Sequence, residues 1–272
     1  MPFWASISIL GLVQAALVAL PTSRRRPRWI DGLSSPWWAL VPALSIAVVI
    51  GAIEISPSSA DALTYIALIA VPPLAAYALA ALVRGSRPAW ALVAGALFLL
   101  AWATPHSFVG EAAATALSGL ACVTLGWLLV CGVPARWLRL GVYAMAVIDT
   151  VYVSSDLLQG PNAVLNAAAP AAGLPRLQAV HFGSALMGFG DLFVAALVGC
   201  LFAAEGLAGD ADRVAANRRQ LSAAALVAVL ALTFDLLFFA VDELPSTVPV
   251  AVALALIQWQ RWSRLRTAVP MR

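Results

Sequence analysis

Residues 177–204 read LQAVHFGSALMGFGDLFVAALVGCLFAA, a run in which Asp191 is the sole carboxylate and no arginine or lysine occurs. A helix needs about 20 apolar residues to cross the hydrocarbon core of a bilayer. The stretch therefore predicts a membrane span with a carboxylate inside it. Similar runs lie on either side, at 138–158 and 221–241, the first holding Asp149 and the second Asp235. Further outward come 3–20, 37–55, 63–83, 89–103, 112–133 and 248–262, which completes nine candidate spans. Of the 272 residues, 62% are hydrophobic and only 11% charged, more apolar surface than one soluble core can hide. The runs are continuous and broken by Pro, Gly and Arg, not by hairpin signals at ten-residue intervals, so an outer-membrane barrel is set aside. The expected fold is an all-α polytopic membrane protein of about nine transmembrane helices, forming a single integral domain.

Arginine placement tests that count. Short cytoplasmic loops retain positive charge and translocated loops avoid it. If the loops after the odd-numbered spans face the cytoplasm, they hold Arg24, Arg25, Arg26, Arg28, Arg84, Arg87, Arg136, Arg139, Arg213, Arg218 and Arg219, and the C-terminal tail adds Arg261, Arg264, Arg266 and Arg272. Only Arg176 of the 16 basic residues falls outside. The N-terminus is thus expected outside and the C-terminus in the cytoplasm. Trp37, Trp38, Trp137, Trp259 and Trp262 fall near span ends, as interfacial anchors do. All basic residues are Arg and Ala is abundant, which suggests a GC-rich bacterial genome and hence a bacterial cytoplasmic membrane. The first run lacks a basic segment before it, so it reads as a retained span and not a cleaved signal. Cys122, Cys131 and Cys200 lie in apolar runs without metal-ligand spacing and read as packing residues. No metal or cofactor is expected, nor any nucleic-acid partner; the bilayer is the expected surrounding, and no oligomeric state is assigned.

A carboxylate at membrane depth costs several kcal/mol, so Asp149, Asp191 and Asp235 are functional candidates by default. Asp149 lies ten residues, about 15 Å, above Arg139 at the cytoplasmic end of its span, and Asp191 fourteen residues, about 21 Å, above Glu205 at the same end. On consecutive antiparallel helices the two carboxyls can face each other. Asp235, sixteen residues or about 24 Å above Arg219, sits higher and reads as a structural group or a modulator of the pair. Glu54, Asp156, Asp242 and Glu243 are expected near the outer interface. Two carboxyls in one low-dielectric site tend to hold a single proton between them, the state in which an aspartic protease works. Spacing alone equally suits a proton relay or a helix-packing role. Gly188 and Gly190 remove side chains before Asp191, which is expected to let a backbone approach closely and to loosen the helix.

These motifs resemble those of the presenilin and signal peptide peptidase family of intramembrane aspartyl proteases, whose members carry Tyr-Asp in the sixth of nine spans, Gly-x-Gly-Asp in the seventh and Pro-Ala-Leu at the start of the ninth. Here Ile148-Asp149 stands at the first motif, Gly188-Phe189-Gly190-Asp191 matches the second, and Pro245-Ser246-Thr247 or Pro249-Val250-Ala251 takes the place of the third. The resemblance implies a catalytic dyad of Asp149 and Asp191. It also implies a scaffold over 1–135 with the motif-bearing spans over 136–272, and a role for Pro245 and Pro249 in holding an unwound substrate. The expected orientation is that of signal peptide peptidases, which implies transmembrane-helix substrates such as signal peptides or type II membrane proteins. Prepilin peptidases share Gly-x-Gly-Asp, and Gly160-Pro161-Asn162-Ala163 is faintly similar to their Pro-Asn segment. Phe193 stands where they carry a basic residue, and residues 161–188 are too few for their extra span. A transporter or channel using Asp149, Asp191 and Asp235 as a proton relay is the reading from another class. A metalloprotease lacks its His-Glu-x-x-His. A serine protease lacks a base, because His106 and His181 both precede Ser184 in the chain.

Overall fold

The computed structural model describes residues 2–24, 35–56, 58–155, 173–206, 210–239, 241 and 244–267, with isolated positions between 164 and 171. It is predominantly helical, at 79%. In chain order the elements are α1 (Phe3–Ala19), α2 (Val41–Ile55), α3 (Ser59–Tyr77), α4 (Ala91–Ala103), α5 (Phe108–Gly132), α6 (Ala135–Ser154), β1 (Ala179–Phe182), β2 (Ala185–Gly188), α7 (Phe189–Glu205), α8 (Asp210–Phe234) and α9 (Val248–Thr267). Short 3-10 turns lead into α2 at Pro36–Leu40 and into α4 at Pro88–Trp90, and another continues α8 through Asp235–Phe239. A π-helical turn extends α3 through Ala78–Leu82, downstream of Pro72 and Pro73. The nine helices among the described residues follow the nine apolar runs in order. Three segments, Ser59–Leu82, Phe108–Gly132 and Arg213–Phe239, are long and apolar enough to cross a membrane. The segments Phe3–Ala19 and Pro88–Ala103 are apolar but shorter. The 20-residue α6 carries Arg136, Arg139 and Asp149, which lower its average hydropathy.

The core lies along α5 and α7. Leu117, Ala121, Cys122 and Val123 on the first, and Leu192, Val194, Ala195 and Val198 on the second, are all fully buried. Small residues let these helices approach: a Cβ on Gly126 of α5 would stand 3.1 Å from the Leu197 backbone. Gly199 of α7 is tighter still, for a Cβ there would meet Leu17 O and Val18 O of α1 at 2.7 Å. That approach brings α8 to the end of α1 as well. Gln220, only 2% exposed, donates from Nε2 to Val18 O and Pro21 O at 2.9 Å each, and its Oε1 accepts from Arg84 Nη2 at 2.9 Å. Arg84 Nε donates to Ala19 O at 2.7 Å, so a cation and an amide satisfy the last carbonyls of α1, where the helix dipole is negative.

Glu205, the last residue of α7, joins the second half of the chain. Its carboxylate meets Arg139 Nη2 of α6 at 2.9 Å, Arg219 Nη2 of α8 at 3.2 Å and Arg261 Nη1 of α9 at 3.4 Å. Arg139 and Arg219 lie in the N-terminal parts of their helices, and Glu205 and Arg261 in the C-terminal parts of theirs. The four helices therefore run alternately up and down from one ionic knot, the level from which the depths of Asp149 and Asp191 are counted.

The seventh run departs from expectation. Residues 179–188 form a two-stranded antiparallel hairpin, with Ala179 opposite Gly188 and Phe182 opposite Ala185, and the helix begins only at Phe189. The cause is local. Gly183, at φ +61°, opens a two-residue Gly-Ser turn, a conformation that favours glycine and closes a hairpin. Glu111 at the start of α5 holds this turn from outside by accepting the Gly183 N–H at 2.7 Å. The fold is accordingly helical with one β-hairpin, a correction to the purely α-helical expectation. The polar residues between the seventh and eighth apolar runs are helical from Asp210 onward. Asp156, Asp242, Glu243, Arg25, Arg26, Arg28, Arg272 and the Pro161-Asn162 segment lie outside the described residues, as do the side chains of Glu54, Arg264 and Arg266.

Gly199→Ala is expected to destabilise the protein by about 2 kcal/mol, because the clash is with backbone that has no rotamer to yield. Gly95→Ala, where nothing lies within 4 Å of the added carbon, is expected to be neutral or better. Thermal unfolding of the two variants in detergent measures the difference.

Candidate active site

Asp149 sits in the C-terminal half of α6 and is half-buried. Its Oδ2 accepts two hydrogen bonds from a single residue: Thr247 Oγ1 donates at 2.6 Å and the Thr247 backbone N–H at 3.3 Å. Thr247 is 3% exposed and immediately precedes α9. The bond explains why this threonine stays buried in an apolar setting, since its hydroxyl has a carboxyl acceptor at short range.

Asp191 occupies the first turn of α7 instead of its middle, which corrects the helical span expected around it. The late start of the helix leaves the amide of Gly188 outside the helical ladder, and Asp191 Oδ2 accepts its N–H at 3.1 Å. A carboxylate at the third helical position that reaches back to the residue before the helix is a capping arrangement, and it also sits well with the positive end of the helix dipole. Neither Gly188 nor Gly190 serves a close helix approach: a Cβ on Gly190 would meet nothing within 4 Å, and one on Gly188 would meet Asp191 Oδ2 itself at 3.2 Å.

The two carboxyls come within electrostatic reach of each other, the charge of Asp149 acting on Asp191. They do so from unlike settings. Whereas α7 packs closely on α5, α1 and α8, α6 is more lightly packed, touching α9, α2 with the turn that leads into it, and α7 to similar extents. A third element, the loop into α9, reaches the pair through Thr247.

The remaining candidates fall around this centre. Ile148, half-buried, stands beside Asp149 on α6, and Phe189 is the first residue of α7. Pro245 is buried, and its carbonyl accepts the Val248 N–H at 3.1 Å, which starts α9 at the residue after Thr247. Pro249 lies in the first turn of α9, where a missing N–H costs nothing, and it lines a groove of about 210 Å³ with Leu230, Thr233, Phe234, Leu237, Val248 and Val252. Of the two stretches that stand for the third motif, Pro245-Ser246-Thr247 is the one tied to an aspartate. Asp235 faces α1: its Oδ2 is buried, has no hydrogen-bond partner among the described residues, and lies 3.9 Å from where a Cβ on Gly11 would be. It makes no bond to either member of the pair. His181 lies on β1 and Ser184 in the hairpin turn. All three cysteines are buried, and no group of three or more His, Cys, Asp or Glu among the described residues could hold a metal ion.

Thr247 was legible only as one letter of a degenerate motif, and the bond that gives it meaning spans 98 residues. Thr247→Val, which keeps the shape and removes the hydroxyl donor, is expected to lower any activity of the pair by about tenfold, with Thr247→Ser retaining most of it. No family model matches the chain, nor does any curated protein or solved structure.

Proposed function

We propose that the chain is an intramembrane aspartyl protease in which Asp149 and Asp191 hydrolyse a peptide bond within a transmembrane helix. The observation that carries the reading is the convergence of two carboxyls from consecutive, touching antiparallel helices, one of them held by the segment that leads into α9. In this reading nine helices span a bacterial cytoplasmic membrane with the N-terminus outside, as the arginine distribution favours. Substrates are then helices whose own N-terminus is cytoplasmic, signal peptides or type II membrane proteins.

The chemistry follows from a shared proton. One carboxylate takes a proton from a bound water as its oxygen attacks the scissile carbonyl carbon, while the other, protonated, donates to the carbonyl oxygen. The resulting gem-diol collapses with return of a proton to the departing amine, and the C–N bond breaks. A formed substrate helix hides its carbonyls in hydrogen bonds and must first be drawn out into a strand. The hairpin supports this step. Among the described residues β2 pairs only with β1, and it ends three residues before Asp191, so extended backbone groups stand next to the catalytic carboxyl.

A proton relay through Asp149, Asp191 and Asp235 is the second reading, favoured by the buried, unbonded Oδ2 of Asp235. The two separate cleanly. Asp149→Asn and Asp191→Asn are each expected to reduce cleavage of a type II reporter segment in liposomes by on the order of a thousandfold or more, with expression unchanged. A hydroxyl-bearing mimic of the gem-diol is expected to protect the reporter. Asp235→Asn is expected to leave cleavage within about threefold of the parent, since that carboxyl makes no bond to the pair. Cleavage that survives in either dyad variant, or proton flux that depends on all three aspartates without cleavage, would sink the assignment.

A further inference from the structure

Gln14 is the one polar side chain between Ile9 and Leu20 of the first apolar run, and it is 1% exposed. Burying an amide without a partner costs on the order of 2 kcal/mol or more, so its presence in an apolar helix calls for a specific acceptor. The acceptor is Ser246 O, at 3.1 Å from Gln14 Nε2, across 232 residues of chain. Ser246 C=O and Thr247 N–H belong to the same peptide group, and there is no cis peptide among the described residues. In a planar trans peptide these two bonds point in opposite directions. One rigid plane is thus gripped on its carbonyl side by Gln14 of α1 and on its N–H side by Asp149 of α6. Rotating the plane to release either bond breaks the other. Donation into the carbonyl also polarises the peptide and strengthens its N–H as a donor.

We infer that Gln14 is a positioning residue: it fixes the Ser246–Thr247 peptide so that both donors of Thr247 stay on Asp149 Oδ2, and in this way it sets one carboxyl of the pair relative to the other. The inference rests on the protease reading for its catalytic consequence and on geometry alone for the positioning. Pro245 and Pro249 make the external grip necessary. Neither has an N–H with which to tether this segment, and Thr247 spends its own N–H on Asp149. A helix outside the motif-bearing half thereby acts on the site without touching substrate.

The test is a double-mutant cycle of Gln14→Leu with Thr247→Val, read by cleavage of a type II reporter in liposomes. Gln14→Leu is expected to lower kcat by about tenfold with KM within about twofold, and the double variant is expected to lose less than the product of the two single losses. Losses that multiply, or a change confined to KM, overturn the inference. Gln14→Met, unbranched like glutamine, serves the same cycle if the leucine variant does not fold. The positioning itself is read without turnover, from carboxyl infrared bands of protein labelled with 13C-aspartate and assigned with Asp149→Asn and Asp235→Asn. Gln14→Leu is expected to shift the Asp149 band and leave the Asp235 band in place; an unmoved Asp149 band, or a shift of both, overturns it. Parent protein that does not cleave, yet whose Asp149 band responds to Gln14, sinks the protease reading and sustains the positioning role.

Discussion

The carboxylate of Glu205 sets the level of the helices that matter. Three guanidinium groups, from α6, α8 and α9, close on it at the end of α7, and each is one exposed or half-exposed partner in a network, not an isolated pair. An exposed ion pair contributes little to stability, but a shared carboxylate spreads one ordering cost over several bonds. The consequence is one of register. With four helix ends tied at one height, a slip of one turn along α6 or α7, about 5.4 Å, would carry an aspartate out of reach of its partner. The knot forbids that slip. At the opposite end Glu111 does a related task for the hairpin, so α7 is pinned below by its own last residue and above by the turn that precedes it.

Between these two fixed ends the chain turns an apolar run into three kinds of structure: strand, tight turn and helix. The change of state at Phe189 frees the Gly188 amide, and that amide meets Asp191. The carboxylate of Asp191 is therefore not an isolated charge imposed on a regular helix but the cap of a helix that begins beside it. Asp149 is treated differently, its neighbours on α6 being helical on both sides and its hydrogen bonds coming from elsewhere in the chain. One aspartate is held by its own segment and the other by a distant one.

That difference marks how much could be read beforehand. The helices were legible because segregation of apolar residues into long runs is a strong signal when few charges interrupt it. The arginine that begins α6 and the glutamate that ends α7 were legible because charges collect where runs stop. The hairpin was hidden inside a run, since Val180, Phe182, Leu186 and Met187 suit a buried strand as well as a helix, and only Gly183-Ser184 hinted at the turn. Glycines 188 and 190 drew attention for a packing reason that the structure does not bear out. Thr247 and Gln14 were beyond reading, because each acquires its part from a contact between segments that no local pattern links.

The unequal packing of α6 and α7 has a further bearing on how tightly anything can bind between the two aspartates. Helix α7 belongs to the core and is already ordered, so contacts to Asp191 cost little to form. Helix α6 is more lightly packed on the other described elements, and local opening draws first on elements of that kind. A ligand that engages both carboxyls thus meets one preorganised wall and one wall whose ordering it must finance from its own binding energy. Affinity at this junction is governed less by the size of the contact than by how stiffly α2 and α9 hold α6 before the ligand arrives.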